Sequence, residues 1–398
     1  MALSQINPKA RRTTFLPFSP PSITEQEIEA VVDTLRSAWI TTGPKTKQFE
    51  QDFVEYLGAE DKLGALALNS CTAGLHVALA TLGIGPGDEV ITTPMTFCSS
   101  VNVIEHVGAT PVLADIEPDT LCINPEDVAR RITPRTKAIL VVHYAGHPVE
   151  MKPIRELARQ HNLAIIEDAA HALPAWYEGQ MVDTLGDFAS FSFYATKNLT
   201  TAEGGMLTAT PENLAKARVI SLHGMNRDAW KRYTAEGSWY YEVVAPGFKY
   251  NMTDIQAAIG QVQLQRLAEM QTRRREVVAL YDAAFGQLPA LQTPVERSNV
   301  KSAWHLYVLR LHLDRLKINR AQFIEELKAR QIGTSVHFIP IHLHPYYTEK
   351  YGWQPEDFPV TYAEYQRTIS LPLHPGLTDD DVADVITAVT DVCEAFQC

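Results

Sequence analysis

In the segment Ser190-Phe-Ser-Phe-Tyr-Ala-Thr-Lys197-Asn-Leu-Thr-Thr-Ala-Glu-Gly-Gly205, one lysine stands between an apolar, aromatic-rich run and a loop that closes on paired glycines. A lysine placed after strand-like alternation and before a turn is held inside a protein. Desolvation there lowers its pKa and bares a nucleophilic nitrogen. That is the setting of a Schiff-base lysine, and a solvent-facing lysine at a strand end shares the same local pattern. A second group lies 29 positions earlier, where Ile165-Ile-Glu-Asp168-Ala-Ala-His171 carries a carboxylate out of an isoleucine pair. An acid at that point either meets a ligand or caps the next turn. A lysine that forms a Schiff base and a carboxylate that keeps a pyridine nitrogen protonated are the minimum apparatus of pyridoxal phosphate chemistry.

The third piece is Asn69-Ser-Cys71-Thr72-Ala-Gly74, a small-residue turn between an apolar strand and an apolar helix. Such a turn offers a phosphate free backbone N–H groups, a helix dipole and hydroxyls, and an ordinary N-cap has the same composition. Neither GxGxxG nor GxxxxGK[ST] occurs, which weakens dinucleotide-binding and P-loop readings.

The elements that must position these groups alternate along the chain. Thr24-Glu-Gln-Glu27 is a capping box that opens a helix to about Ser37, and a second amphipathic pattern follows over Lys47–Leu57. Strand-like runs at Gly64–Leu68, Glu89–Thr92, Thr110–Ala114, Ala138–His143 and Ala164–Glu167 alternate with helical runs at Ala73–Leu82, Ser99–Val107 and Ile154–His161. This is the pattern of a parallel sheet wrapped by helices, whose ligands bind beyond the carboxyl ends of the strands. Further helices are expected over Glu212–Leu222, from Thr253 to about Phe285, over Arg320–Arg330 and over Asp379–Phe396, with a strand over Ser302–Leu313. The fold class is therefore α/β, with a large domain over 15–270 and a smaller α+β domain over 271–398.

Composition sets the outer bounds. A chain of 398 residues with 45% hydrophobic and 21% charged residues can bury a large core and divide into two domains. Lys plus Arg number 35 against 47 acidic residues, and the net charge of -12 argues against nucleic acid or an anionic membrane surface as the main partner. Cys71, Cys98, Cys122, Cys393 and Cys398 form no CxxC pair, which fits a reducing cytoplasm and argues against zinc. His337, His342 and His344 lie within eight residues without a supporting carboxylate or cysteine pattern, so substrate or structural roles are expected of them rather than metal. Met1–Arg12 has basic residues but no apolar stretch after them that would read as a signal peptide, and no membrane-spanning run is apparent.

The ordered set NSCTAGLH, MTF, EDAAH, SFSFYATKN and AEGG resembles the DegT/DnrJ/StrS family of sugar aminotransferases, which are fold-type I pyridoxal phosphate enzymes. The resemblance runs from about residue 15 to the C-terminus. It implies a mostly parallel central sheet wrapped by helices, a smaller C-terminal domain, and pyridoxal 5'-phosphate bound covalently to Lys197, which also moves the proton between substrate and cofactor. Asp168 would bind the pyridinium nitrogen. Phe97 would stack on one face of the ring and Ala170 pack on the other, with His171 near the ring hydroxyl. Cys71, Thr72 and Ser192 would contact the phosphate. Asn251 would reach that phosphate from the neighbouring subunit, making the active unit a homodimer with shared sites. On local grounds alone, Asn251 reads equally as the N-cap of the following helix.

The same resemblance implies a ping-pong transamination from an amino donor, L-glutamate, to a ketone on a nucleotide-linked sugar. Trp39-Ile-Thr-Thr-Gly43 resembles the loop over the sugar-nucleotide site, and His337 and His342 would lie near its entrance. The runs TFLPFSPP, WITTGPK, VVHYAG, TRRREV and WHLY look closest to the branch that aminates a UDP-4-keto-pentose in aminoarabinose synthesis. Two departures bear on how the substrate sits. Tyr194 stands where many relatives carry histidine, and Ala202 where they carry glycine. Small amines or aldehydes are an alternative substrate class. A sugar dehydratase of the same fold would carry histidine in place of Lys197, and a non-catalytic regulator would show damage to Lys197, Asp168 or Ser192.

Overall fold

The computed structural model describes residues 12–182, 185–226 and 240–398, so residues 1–11 of the N-terminal stretch read above lie outside it. The strands in chain order are Gly64–Leu68 (β1), Glu89–Thr92 (β2), Thr110–Leu113 (β3), Thr136–Val142 (β4), Ala164–Asp168 (β5), the short pair Trp176–Tyr177 (β6) and Gln180–Met181 (β7), Phe188–Ser192 (β8) and Gly205–Ala209 (β9). The helices of the same region are Glu25–Arg36 (α1), Pro44–Leu57 (α2), Cys71–Thr81 (α3), Ser99–His106 (α4), Pro125–Arg131 (α5), Met151–His161 (α6) and Pro211–Ser221 (α7).

Seven strands form one sheet in the order β1-β9-β8-β5-β4-β2-β3. Pairings from β3 through β8 are parallel, and β9 runs antiparallel to both of its neighbours. The period-two rule assigns the faces. In β4, Ala138, Leu140 and Val142 pack with Leu75, Val77 and Leu79 of α3. Ile139 and Val141 turn the other way, towards Met151 and Ile154 of α6. Where a strand is buried on both faces there are no polar positions to alternate, which is why β4 reads as an unbroken apolar run from Ala138 to Val142.

A 32-residue helix, Asp254–Phe285 (α8), begins at a capping box between Thr253 and Gln256. Its Leu264, Leu267 and Met270 share a core with Phe49 and Phe53 of α2. Further along, Val277, Val278, Tyr281 and Phe285 enter a different core. That core is built on the strands Leu291–Gln292 (β10), Tyr307–Leu311 (β12) and Thr368–Leu371 (β13), which form a second sheet. Val300–Lys301 (β11) pairs instead with β6. Arg320–Ala329 (α9), Pro345–Tyr351 (α10), Pro359–Arg367 (α11) and Asp379–Phe396 (α12) complete the chain. No helix of the described residues is long and apolar enough to cross a membrane.

Three local expectations need correction. The strand expected over Ser302–Leu313 shrinks to β12, because Ala303 and His305 donate their N–H groups to Gly146 and Ala145 across the molecule instead of joining the ladder. The turn expected through Gly74 is already helical from Cys71, with Ser70 as N-cap accepting from Ala73 N at 3.1 Å. Asn251 is not the cap of α8, since Thr253 holds that position.

Candidate active site

The parallel strands point their carboxyl ends at one cavity of about 480 Å³. That volume suits a cofactor-sized ligand. Val142, Asp168 and Ser192, the last residues of β4, β5 and β8, reach it together with Thr96 and Phe97 after β2 and Gly204 before β9. Eight of the nine candidate residues line this cavity: Cys71, Thr72, Phe97, Asp168, Ala170, His171, Ser192 and Lys197. Asn251 does not.

One wall is the start of α3, where Cys71 and Thr72 are the first helical residues. Their N–H groups precede any intrahelical carbonyl that could accept them, and the helix dipole adds positive potential at that end. Two glycines make the geometry attainable. A Cβ on Gly205 would stand 2.4 Å from the Ser70 carbonyl carbon and 2.5 Å from Cys71 N. A Cβ on Gly74 would stand 2.2 Å from Ser190 Oγ, so α3 sits directly on β8 because nothing projects between them.

Burial lowers the Lys197 amine from its ordinary 10.5 to about 8, and the negative charge of Asp168 only partly opposes the shift. Asp168 is 5% exposed and accepts from Ala170 N at 3.1 Å and from Ser100 Oγ at 2.7 Å. The Cys71 thiol lies 3.8 Å from Asp168 Oδ1, and burial together with that carboxylate pushes its pKa well up. Cys71 is thus held as a neutral thiol. Phe97 is 57% exposed, an aromatic face without apolar cover of its own.

Sequence reasoning passed over several residues of this site. His305 lines the cavity and lies 4.4 Å from His171, ring centroid to centroid. Phe338 stacks on His171 at 5.8 Å and meets Phe97 at 5.9 Å. Both come from the C-terminal third of the chain, so no local pattern near the lysine points to them. His171 Nδ1 accepts from Ala145 N at 3.3 Å, which leaves the proton on Nε2. Burial, with Lys197 nearby, keeps His171 and His305 well below the usual histidine range.

The histidines at 337–344 separate. His337 lines the cavity and is lowered to about 4 by burial. His342 is buried against Phe358 at 4.9 Å, and the His344 ring bonds back to Ile339 O at 3.2 Å. Among the described residues no group of three or more His, Cys, Asp or Glu is placed to hold a metal ion. Tyr194 lines the cavity and is 48% exposed. Ala202 takes φ 69°, the left-handed region in which a glycine would be unstrained. Asn251 lies outside the cavity, bridged to Leu68 and donating from its amide to Thr42 Oγ1 at 2.6 Å. Trp39 donates Nε1–H to Thr42 O at 3.2 Å, which packs its loop beside that same threonine.

The donor set fits pyridoxal 5'-phosphate. A helix start with hydroxyls suits a phosphate, a half-buried amine suits an aldehyde, a hydrogen-bonded carboxylate suits a ring N–H, and the uncovered Phe97 face suits an aromatic ring.

A model described as the DegT/DnrJ/EryC1/StrS aminotransferase family matches residues 21–390. The chain is 55% identical over 382 residues to the uncharacterized protein MJ1066 of Methanocaldococcus jannaschii, covering 96% of this chain and 98% of that protein. It is 52% identical over 384 residues to the spore coat polysaccharide biosynthesis protein SpsC of Bacillus subtilis, again covering 96% and 98%. Among solved structures it resembles the putative sugar aminotransferase Spr1654 of Streptococcus pneumoniae in its PLP form, with a TM-score of 0.88 at 38% identity over 96% of this chain and 99% of the other. The PMP form of the same protein gives 0.89.

Proposed function

This chain belongs to the DegT/DnrJ/EryC1/StrS aminotransferase family and is a pyridoxal 5'-phosphate-dependent aminotransferase, and we propose that it moves an amino group from L-glutamate to a keto group on a nucleotide-linked sugar. The observation that carries the site assignment is the sharing of one cavity by a lysine with a pKa of about 8, a buried carboxylate and the open start of a helix. The name of the B. subtilis relative supports a saccharide acceptor.

When bound, the cofactor supplies an electron sink that stabilises negative charge on the substrate carbon and carries the amino group between the two substrates. In this reading Cys71 N–H, Thr72 and Ser192 would hold the phosphate, Phe97 and Ala170 would flank the ring, and the Asp168 carboxylate would bind the ring nitrogen. Lys197 Nζ would hold the cofactor's aldehyde. A nitrogen near neutrality is then basic enough to take the proton from the substrate carbon and acidic enough to return it. His171, with its proton on Nε2, would donate to the cofactor's ring hydroxyl. Phe338, from the C-terminal part, meets Phe97 at 5.9 Å at the cavity wall.

The second copy belongs to the same proposal. Asn251 lies outside its own chain's cavity, and the exposed Tyr240, Tyr241, Val243 and Val244 precede it in sequence, apolar surface of the kind that partners cover. A homodimer would bring Asn251 to the partner's phosphate. The division near residue 271 is likewise proposed, supported by the change of core along α8. A reducing cytoplasm suits the five free cysteines.

Half-reactions test the reading. Glutamate is expected to bleach the visible absorption of the lysine-bound cofactor, and one member of a panel of 4-keto nucleotide sugars to restore it. No bleaching by glutamate removes the donor. Restoration by a small aldehyde and by no nucleotide sugar replaces the acceptor class.

A further inference from the structure

The Asp168 carboxylate is held by a hydroxyl pair, a fully buried serine and a threonine at the cavity wall, neither of them assigned a cofactor contact above. Ser100, fully buried in the first turn of α4, donates its hydroxyl to Asp168 Oδ2 at 2.7 Å. A serine has one proton to give, and a carboxylate accepts only. The 2.8 Å contact between Thr96 Oγ1 and Ser100 Oγ therefore runs from threonine to serine, and two hydroxyls in series end on one oxygen. Ser100 is fully buried, and Thr96, 2% exposed, stands at the cavity wall beside it. On the other oxygen, Ala170 N donates at 3.1 Å and the Cys71 thiol lies at 3.8 Å. Each carboxylate oxygen is thus turned by a fixed donor, and the direction of its remaining lone pairs is set.

The same turn carries Phe97, because Ser100 N bonds Phe97 O at 3.3 Å and Val101 N bonds Cys98 O at 3.2 Å. The ring-facing aromatic and the carboxylate's donor are therefore parts of one rigid piece. Its buried Val101 and Ile104 anchor it to the core.

We propose that Ser100, backed by Thr96, is a positioning residue that aims Asp168 at the cofactor's ring nitrogen. The proposal rests on the assignment of Asp168 to that nitrogen. In the holoenzyme, Ser100→Ala is expected to lower kcat about ten- to one-hundred-fold, as loss of a hydrogen bond to a charged group does, with little change in the donor's KM. The visible absorption of the bound cofactor should move towards that of Asp168→Asn, and Ser100→Thr should restore both readouts. Thr96→Val should shift both in the same direction by less, and it carries the test if Ser100→Ala does not fold. A lowered melting temperature with kcat and spectrum unchanged would overturn the proposal, leaving Ser100 a packing residue. If Asp168→Asn itself leaves spectrum and kcat unchanged, the assignment of Asp168 has failed rather than the contact behind it.

Discussion

Asn198, the residue after the cavity lysine, holds His305 through its side-chain oxygen, with Oδ1 and Nδ1 3.1 Å apart. The amide orientation is fixed by its other contacts, because Nδ2 donates to Leu173 O at 3.0 Å and to Ala303 O at 2.9 Å. Oδ1 must then accept, so His305 carries its proton on Nδ1 and turns a bare Nε2 away from the bond. Three segments far apart in sequence are pinned at the base of Lys197. Asn198→Ala would leave two carbonyls and an imidazole N–H without their partner in a 6% exposed position. A loss of about 3 kcal/mol in urea unfolding is expected, with kcat falling more than cofactor affinity. Unchanged stability would mean that water replaces all three bonds.

Lys197 gives a stability that depends on pH. Its folded value of about 8 lies below its ordinary 10.5, so between those values the unfolded chain binds more protons and stability rises with pH. Below about 8 both states carry the proton and the full burial cost is present. In cofactor-free protein, Lys197→Met is therefore expected to be more stable than the parent by on the order of 3 kcal/mol at neutral pH. The gain should shrink from pH 8 upwards and be nearly gone near 10.5. Denaturant midpoints across that window check it, and a gain that does not vary with pH would contradict the shift. The same variant should lose activity about a thousandfold or more.

Gly205→Ala tests the close approach of β9 to the start of α3. Its new methyl would meet backbone atoms of Ser70 and Cys71 at 2.4 to 2.6 Å, none of which can rotate aside. Destabilisation of about 1–3 kcal/mol is expected. Weaker cofactor binding by equilibrium dialysis should accompany it, because the displaced groups are those of the proposed phosphate site. Loss of stability with unaltered cofactor affinity would separate the two.

Hybrid dimers test the proposed sharing of sites. If Asn251 serves the partner's cavity, a dimer of one Lys197→Ala chain and one Asn251→Ala chain has one doubly damaged site and one intact site. Mixing two weak homodimers should then produce activity, about half the parent's per hybrid where subunits pair across one two-fold axis. No gain on mixing, with exchange verified by mass, would place Asn251 in its own subunit's structure.

Much of this was legible because the chemistry-bearing residues sit at element ends, and element ends carry strong local signals. Asp168 closes an isoleucine pair that becomes β5, Ser192 closes β8, and Cys71 opens the helix that follows β1. The AEGG run reads as a loop, and only the structure shows that its second glycine is needed to let β9 pass against Ser70. Residues 302–306 misled in the opposite direction. Their apolar content reads as strand, yet the N–H groups of Ala303, His305 and Leu306 are taken by Gly146 and Ala145. Hydrogen-bond partners 150 residues away leave no periodic trace.

By itself the sequence determined the alternation of strands and helices, the lysine, the carboxylate and the small-residue helix start, because each depends on neighbours within a few positions. Tertiary structure decided which of them meet. Eight candidates converge on one cavity while Asn251 stays outside it. Ser100, His305 and Phe338 join the site from elements whose local patterns say only helix start, strand and loop. The reason is physical. Burial and electrostatic coupling, which bring Lys197 to about 8 and orient Asp168, are properties of groups packed through space, and chain spacing does not encode them.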